Sequence, residues 1–201
     1  MGRVSQAQAQ ENRRQVVAAA ARLFRERGVQ AVSVADLMAE AGLTHGGFYK
    51  QFTSKEALLT EATVQAFADL AALLTEFDAK RPGDHDAARK DLIDYYLSTE
   101  HRDDLGQGCP TTGLSSDIAS EDIGGSARAA YADGVGLFAR WLSTDDNEDL
   151  ATLSMLVGAL TLARATAGSD LSERILTAAH EALPDTATPH EAEAPRRRGE
   201  D

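Results

Sequence analysis

The sequence has a single cysteine, Cys109, in 201 residues. That excludes an internal disulfide and makes a cytoplasmic setting the expectation. Proline is scarce, with five in all and three of them beyond residue 183. Together with abundant Leu and Ala, and no sustained alternation of β-branched residues, this favours helix. Long apolar runs are lacking. The longest apolar-looking segment, LATLSMLVGALTLA at 150–163, has 14 residues, against about 20 for a membrane span, and it contains Thr and Ser, so it reads as a buried helix. The polar N-terminus has no apolar core of the kind a signal peptide carries. Positive charge is short: 20 Lys or Arg stand against 32 Asp or Glu, a net of -12, which argues against wholesale coating of nucleic acid. Catalytic patterns are missing too. Cys109, His101 and His180 are residue types suited to nucleophilic chemistry, but no motif joins them. Asp103 with Asp104, and Asp145 with Asp146, lack the regular oxygen-ligand spacing of a calcium loop. The expectation is a chain with no enzymatic activity, no metal and no cofactor.

What is present is unevenly spread. Residues 1–60 carry eight Lys or Arg and five Asp or Glu, whereas 61–201 carry twelve and twenty-seven. A mildly basic head on an acidic body suggests that only the head meets a polyanion; an uneven solvated surface is the plainer alternative. From 11 to 27, Val16, Val17, Ala20, Leu23 and Phe24 form a stripe at helical spacing, and Gly28 is a natural C-cap. Ser33, with Asp36 three residues on, marks a capping box before VADLMAEAG. Gly42 ends that helix, and Thr44 is placed to cap a very short third one running to Lys50. Ser54 caps a long fourth helix whose stripe runs through Leu59, Thr63, Ala66, Leu70, Leu73 and Phe77, widened by Phe67 and Leu74. A turn at 79–86, a helix over 87–99, a glycine-rich break over 103–113 and a resumed helix from Leu114 follow. Two longer helices at 126–142 and 148–167, and a last one at 171–183, complete an all-α chain. Residues 184–201, including Arg196, Arg197 and Arg198, lack apolar anchors and read as disordered.

Within LTHGGFYKQFTSK, at 43–55, two adjacent glycines weaken a short helix by about 1 kcal/mol each. Short helices joined by a glycine-centred turn suggest a helix-turn-helix, whose second helix places its N-terminal residues at base edges in the major groove. Gly46 and Gly47 let a backbone approach closely, or else relieve crowding between helices. His45 can donate to a base edge or phosphate, Tyr49 offers a hydroxyl, and Lys50 and Lys55 offer charge. Phe48 and Phe52 fit core packing better than base reading. The same residues strongly resemble the DNA-binding domain of the TetR repressor family. The resemblance covers about 13–59, through AAARLFRERG and SVADLMAEAGLTHGGFYKQFTSKEAL. It implies that Val34–Glu40 is the first motif helix and 44–49 the recognition helix, with Thr44, His45 and Gly46 facing the groove and Tyr49 and Lys55 on the DNA backbone. The expected DNA-facing set is Ser33, Thr44, His45, Gly46, Gly47, Tyr49, Lys50 and Lys55, in a helix-turn-helix domain at 11–55.

The resemblance implies a larger helical domain at 56–183 that binds an effector and forms a homodimer, giving a repressor released from a palindromic operator by a small molecule. Aromatic, apolar and hydroxyl residue types make Phe67, Leu70, Tyr95, Tyr96, Thr112, Trp141 and Met155 candidates for the pocket lining, suited to a small, mainly hydrophobic effector. Small and apolar stripes make Ala127, Ala130, Tyr131, Gly134, Val135, Phe138, Leu153, Leu156, Val157 and Leu160 candidates for a four-helix dimer interface; burial within one subunit is the competing reading. A constitutive DNA-binding protein with no effector, or a helical protein-interaction module, are the alternatives.

Overall fold

The computed structural model describes residues 5–120, 124–145 and 147–183. Ten α-helices and one 3-10 helix form the described residues, with no strand among them. α1 (Gln6–Arg27) begins before the apolar stripe because Ser5 caps it, its hydroxyl accepting from the Gln8 N–H at 3.2 Å. It stops at Gly28, whose φ of 81° suits a residue without Cβ. α2 (Val34–Glu40) carries the capping box: Ser33 Oγ accepts from the Asp36 N–H at 3.1 Å, and Asp36 Oδ2 from the Ser33 N–H at 2.9 Å.

The next element departs from the expected short α-helix. His45–Lys50 is a 3-10 helix, and Thr44 precedes it without a side-chain cap. Six residues with two glycines make too few i→i−4 bonds to offset helix nucleation, so side-chain anchoring sets the local path. Phe48 and Phe52 are both buried.

α3 (Lys55–Lys80) is capped by Ser54, whose Oγ accepts from the Ala57 N–H at 3.0 Å. By length and composition it is apolar enough to cross a membrane, a feature the sequence reading assigned to no segment. In the fold its apolar face is used internally, against α1 and against α8 (Gly125–Leu142). α4 (His85–Tyr96) follows; α5 (Thr99–Asp103), α6 (Pro110–Gly113) and α7 (Ser115–Ala119) are short helices in the glycine-rich region read as a break. α9 (Leu150–Ala165) and α10 (Asp170–Ala182) close the body. The expected tail at 184–201 and Asp146 lie outside the described residues.

Two hydrophobic cores share α3. The first joins Phe24, Leu37, Phe48 and Leu59 to Leu114, Ile118 and Ala127, so body segments complete the core of the head. The second joins Phe67, Leu70, Leu74 and Phe77 to α4, α8, α9 and α10. Arg89 fastens that body. Its Nε donates to the Leu142 carbonyl at 2.6 Å, and its Nη2 to Asp149 Oδ2 and Thr152 Oγ1, both at 3.1 Å.

These cores correct the expected dimer stripe. Ala127, Gly134, Phe138, Leu153, Leu156 and Leu160 are buried within their own chain. Gly134 lies so close to Phe67 that an added Cβ would overlap the ring. The small residues of α8 thus serve close approach to α3. Tyr131, Val135 and Val157 are partly buried against the second core, and Ala130 is half-buried.

Candidate nucleic-acid interface and body cavity

The outward presentation of the 3-10 helix follows from what lies beneath it. Phe48 is fully buried, packs 5.4 Å from Phe52 between ring centroids, and holds Tyr49 edge-on at 5.1 Å. The Leu43 N–H donates to the Met38 carbonyl at 2.8 Å and fixes the turn after α2. Arg13 secures the far end: it donates to the Gln51 carbonyl and to Glu61 Oε1, with its guanidinium 4.3 Å above the Phe52 ring. What remains outside is Thr44, His45, Gly46, Tyr49 and Lys50, with Tyr49 69% exposed. The side chains of His45, Tyr49 and Lys50 have no hydrogen-bond partner among the described residues. An added Cβ at Gly46 would meet nothing within 4 Å, so intrachain crowding does not require that glycine; one at Gly47 would lie 3.3 Å from Met38 Cε. Ser33 is exposed, but its hydroxyl is engaged by Asp36, and the Ser33 hydrogen bonds hold the Asp36 carboxyl below its usual range. Lys55 is half-buried and donates to the Val29 carbonyl at 2.5 Å, leaving two ammonium hydrogens for another acceptor. Burial pulls its pKa down, with Asp117 opposing.

A cavity of about 230 Å³ lies where α1, α3, α4, α5 and the 107–110 segment meet. Leu70, Leu73, Leu92, Tyr95 and Tyr96 supply walls; Arg25, Asp69, His101, Gln107 and Cys109 supply polar groups. Of the lining candidates, Leu70, Tyr95 and Tyr96 are in it. Thr112 stands behind it, its hydroxyl 3.3 Å from Tyr96 Oη. The other three are elsewhere because other contacts hold them. Phe67 packs on Tyr131 at 5.6 Å, Trp141 Nε1 donates to Asp78 Oδ2 at 2.8 Å, and Met155 is on the surface of α9.

His101 braces the cavity. The Tyr96 carbonyl can only accept, so Nδ1 donates to it at 2.9 Å, and Nε2 accepts the Cys109 backbone N–H at 3.2 Å. Both ring nitrogens are thus satisfied in the neutral form, and burial pulls the pKa down. The lone pair of Nε2 is directed at a backbone N–H rather than at the Cys109 thiol, and His180 pairs with Asp94 at 2.6 Å. The three residues do not assemble as a nucleophile and its base.

The sequence profile described as "Bacterial regulatory proteins, tetR family" matches residues 16–62, the segment that builds this exposed face. The head of this chain, residues 16–62, is of the TetR family. It is 30% identical over 99 residues to the HTH-type transcriptional regulator AcrR of Shigella flexneri, a match covering 49% of this chain and 46% of that one, so it spans about half the length of that relative. It is 29% identical over 167 residues to the uncharacterized HTH-type transcriptional regulator MT0206 of Mycobacterium tuberculosis, covering 76% of this chain and 84% of that one. Its fold is similar to that of a TetR-family transcriptional regulator from Agrobacterium tumefaciens, with a TM-score of 0.68 at 17% identity, covering 86% and 97% of the two chains.

In this chain with its TetR-type head, the residue that sequence reasoning missed is Arg25. It is only 6% exposed and reaches the body cavity from the head helix α1. A signal existed: Arg25 falls at i+4 and i+8 from Ala21 and Val17, both buried, so it shares their face. Gln107 and Gly108 were missed because they lie in an irregular segment whose path periodicity does not report.

Proposed function

We propose that this chain is a ligand-responsive transcriptional regulator, a repressor that binds a two-fold symmetric DNA site as a homodimer and is released by a small molecule in the body cavity. The observation that carries the reading is the exposed face of Thr44, His45, Gly46, Tyr49 and Lys50 over the buried Phe48, within the segment matched by the family profile. A narrow, anchored element with a bare backbone at Gly46 fits a major groove. There His45 reads a base edge, and the Tyr49 hydroxyl with the Lys50 and Lys55 ammoniums takes phosphates. Ser33 and Gly47 border the same surface. Such a function acts in the cytoplasm, where the DNA is.

One such element buries little area, so useful affinity needs two heads on one duplex. The surface we assign to pairing is the outer face of α9 and α10. On α9, Ala151, Ser154, Met155, Thr161, Leu162 and Ala165 are exposed and uncharged. Leu162 is 57% exposed and Leu171, at the start of α10, 46%. Large side chains left this open are the ones a partner copy would cover.

The test is selection of bound duplexes from a random pool, followed by anisotropy titration of selected and scrambled sequences at matched salt. The expected result is at least tenfold preference for a two-fold symmetric site with two chains per duplex. Equal affinity for scrambled and selected duplexes would favour a helical protein-interaction module and sink the regulator reading.

A further inference from the structure

The body shows what buried guanidinium groups require, and one of them lacks it. Arg89 is 4% exposed and has a carbonyl, a carboxylate and a hydroxyl as partners. Arg164 is half-buried and donates to the carbonyls of His101, Arg102 and Asp104 at 3.0–3.2 Å. Arg25, 6% exposed, has neither ion pair nor hydrogen bond among the described residues, and its Nε is buried without any partner. Its stem packs against Gly113, where an added Cβ would come 3.1 Å from Arg25 Cβ and Cγ. A guanidinium cannot shed its proton at any ordinary pH, so it must find an anion or bear the cost of an unpaired buried charge.

Burial pulls the Arg25 pKa down; Asp69 and Asp104 oppose this only through space, and neither is bonded to the guanidinium. His101 is held neutral by its two backbone hydrogen bonds. Asp69 lines the cavity but is exposed, and its carboxylate accepts from the Gln65 side chain at 2.8 Å. Asp104 is exposed and accepts from the Gln107 N–H at 2.9 Å. Arg25 also borders an adjoining open crevice that shares Asp69 and Gln107 with the cavity, but the charge of Arg22 there is matched by Glu26 and Glu40. The remaining walls are the apolar and aromatic surfaces of Leu70, Leu73, Leu92, Tyr95 and Tyr96, with the uncharged 107–110 segment, including Gln107 and Cys109, closing one side.

We propose that the body cavity binds a small amphipathic organic anion, a carboxylic acid with an aromatic or short aliphatic body, whose carboxylate pairs with Arg25. This rests on the regulator reading for its consequence, though not for the binding itself. The carboxylate supplies the bidentate acceptor that a guanidinium fork matches, and the hydrocarbon part fills the apolar walls. Size sets the scale. An engineered apolar cavity of about 150 Å³ holds benzene, so about 230 Å³ accepts one ring and a short acid chain. Because Arg25 belongs to α1 and its other neighbours to the body, such a ligand ties the head to the body across α3. That contact changes when the heads move, as a ligand that distinguishes two states requires.

The experiment uses the full-length protein and four probes, benzoate, phenylacetate, trans-cinnamate and octanoate, each beside its primary amide, by calorimetry without DNA. The expected result is millimolar or tighter binding of one or more acids, with its amide at least about tenfold weaker. Arg25→Met should remove the preference for acid over amide, while its ligand-free unfolding midpoint stays at or above that of the wild type because no partner is lost. Amides that bind as well as the acids, an acid preference that survives in Arg25→Met, or no acid binding at millimolar concentration would each overturn the anion site. A second readout, release of a selected duplex by the acid, keeps the two readings apart. Acids that bind selectively but leave DNA affinity unchanged uphold the anion site and remove the inducer role. Failed acids with intact DNA binding remove the anion site alone.

Discussion

Gly46 is the residue at which stability and function are expected to part. It is exposed, has no positive φ, and an added Cβ there would touch nothing in the chain. Alanine restricts the unfolded chain more than glycine does, by roughly 0.4–1 kcal/mol where the native conformation allows it. Gly46→Ala should therefore leave the thermal midpoint unchanged or slightly raised, while weakening binding to a selected duplex by about tenfold or more through the methyl placed against the groove. Parallel melting and anisotropy measurements check this, and wild-type DNA affinity in the variant would show that the backbone at Gly46 does not approach the bases. Lys55 behaves differently, because its ammonium already serves the Val29 carbonyl. Its replacement by Ala should lower both stability and DNA affinity.

At the scale of elements, the body depends on the junction of α4, α8 and α9 at Arg89. Asp149 serves twice there, capping α9 through the Thr152 N–H at 2.9 Å and neutralising Arg89 at 3.1 Å. Asp149→Ala leaves a buried guanidinium without its carboxylate and should cost about 3 kcal/mol, measurable as a lower urea midpoint with little change in slope. The pH dependence has a definite sign. Burial pushes the Asp149 carboxyl up, but hydrogen bonds from Thr152 and Arg89 outweigh it and hold the folded-state pKa below the ordinary value. An unfolded Asp titrates near 3.9, so the contribution is fully present above about pH 4 and is lost as pH falls through the folded-state pKa. The difference in stability between wild type and Asp149→Ala should shrink as pH is lowered below about 4; a constant gap would mean that the carboxylate charge is not what Arg89 needs.

At the scale of the whole molecule, the two cores leave apolar surface open among the described residues along the outer face of α9 with the start of α10, and in a smaller groove between α3 and α8 at Val64 and Leu137. Leu162→Glu places a charge at the centre of that face, where it costs nothing in a monomer and several kcal/mol in a buried pairing surface. Sedimentation at micromolar concentration should show a dimer for wild type and a monomer for the variant, with thermal unfolding of the monomer still cooperative. A variant that stays dimeric would move the pairing surface elsewhere. Loss of pairing should also weaken DNA binding strongly, since one head alone contacts only half of a symmetric site.

By itself the sequence determined the features governed by local chemistry. Ser33, Asp36, Gly28, Gly42 and Ser54 mark helix ends because capping acts within three or four residues, and the spacing of AG, GGFY and SKEAL carries the family of the head. The long stripe of α3 was legible because nine buried side chains recur on one helical face. Tertiary structure alone decided which face of each later helix is covered. Ala127 and Gly134 on α8, and Leu153, Leu156 and Leu160 on α9, have the composition of a pairing surface. Periodicity cannot say whether an apolar stripe meets its own chain or another copy, and these residues meet α3 and the second core. The 3-10 path of His45–Lys50 was hidden because Phe48 and Phe52 fix it from below rather than through local propensity. Arg25 was hidden because its meaning lies in the lack of a partner, and only packing α1 against the body creates that lack.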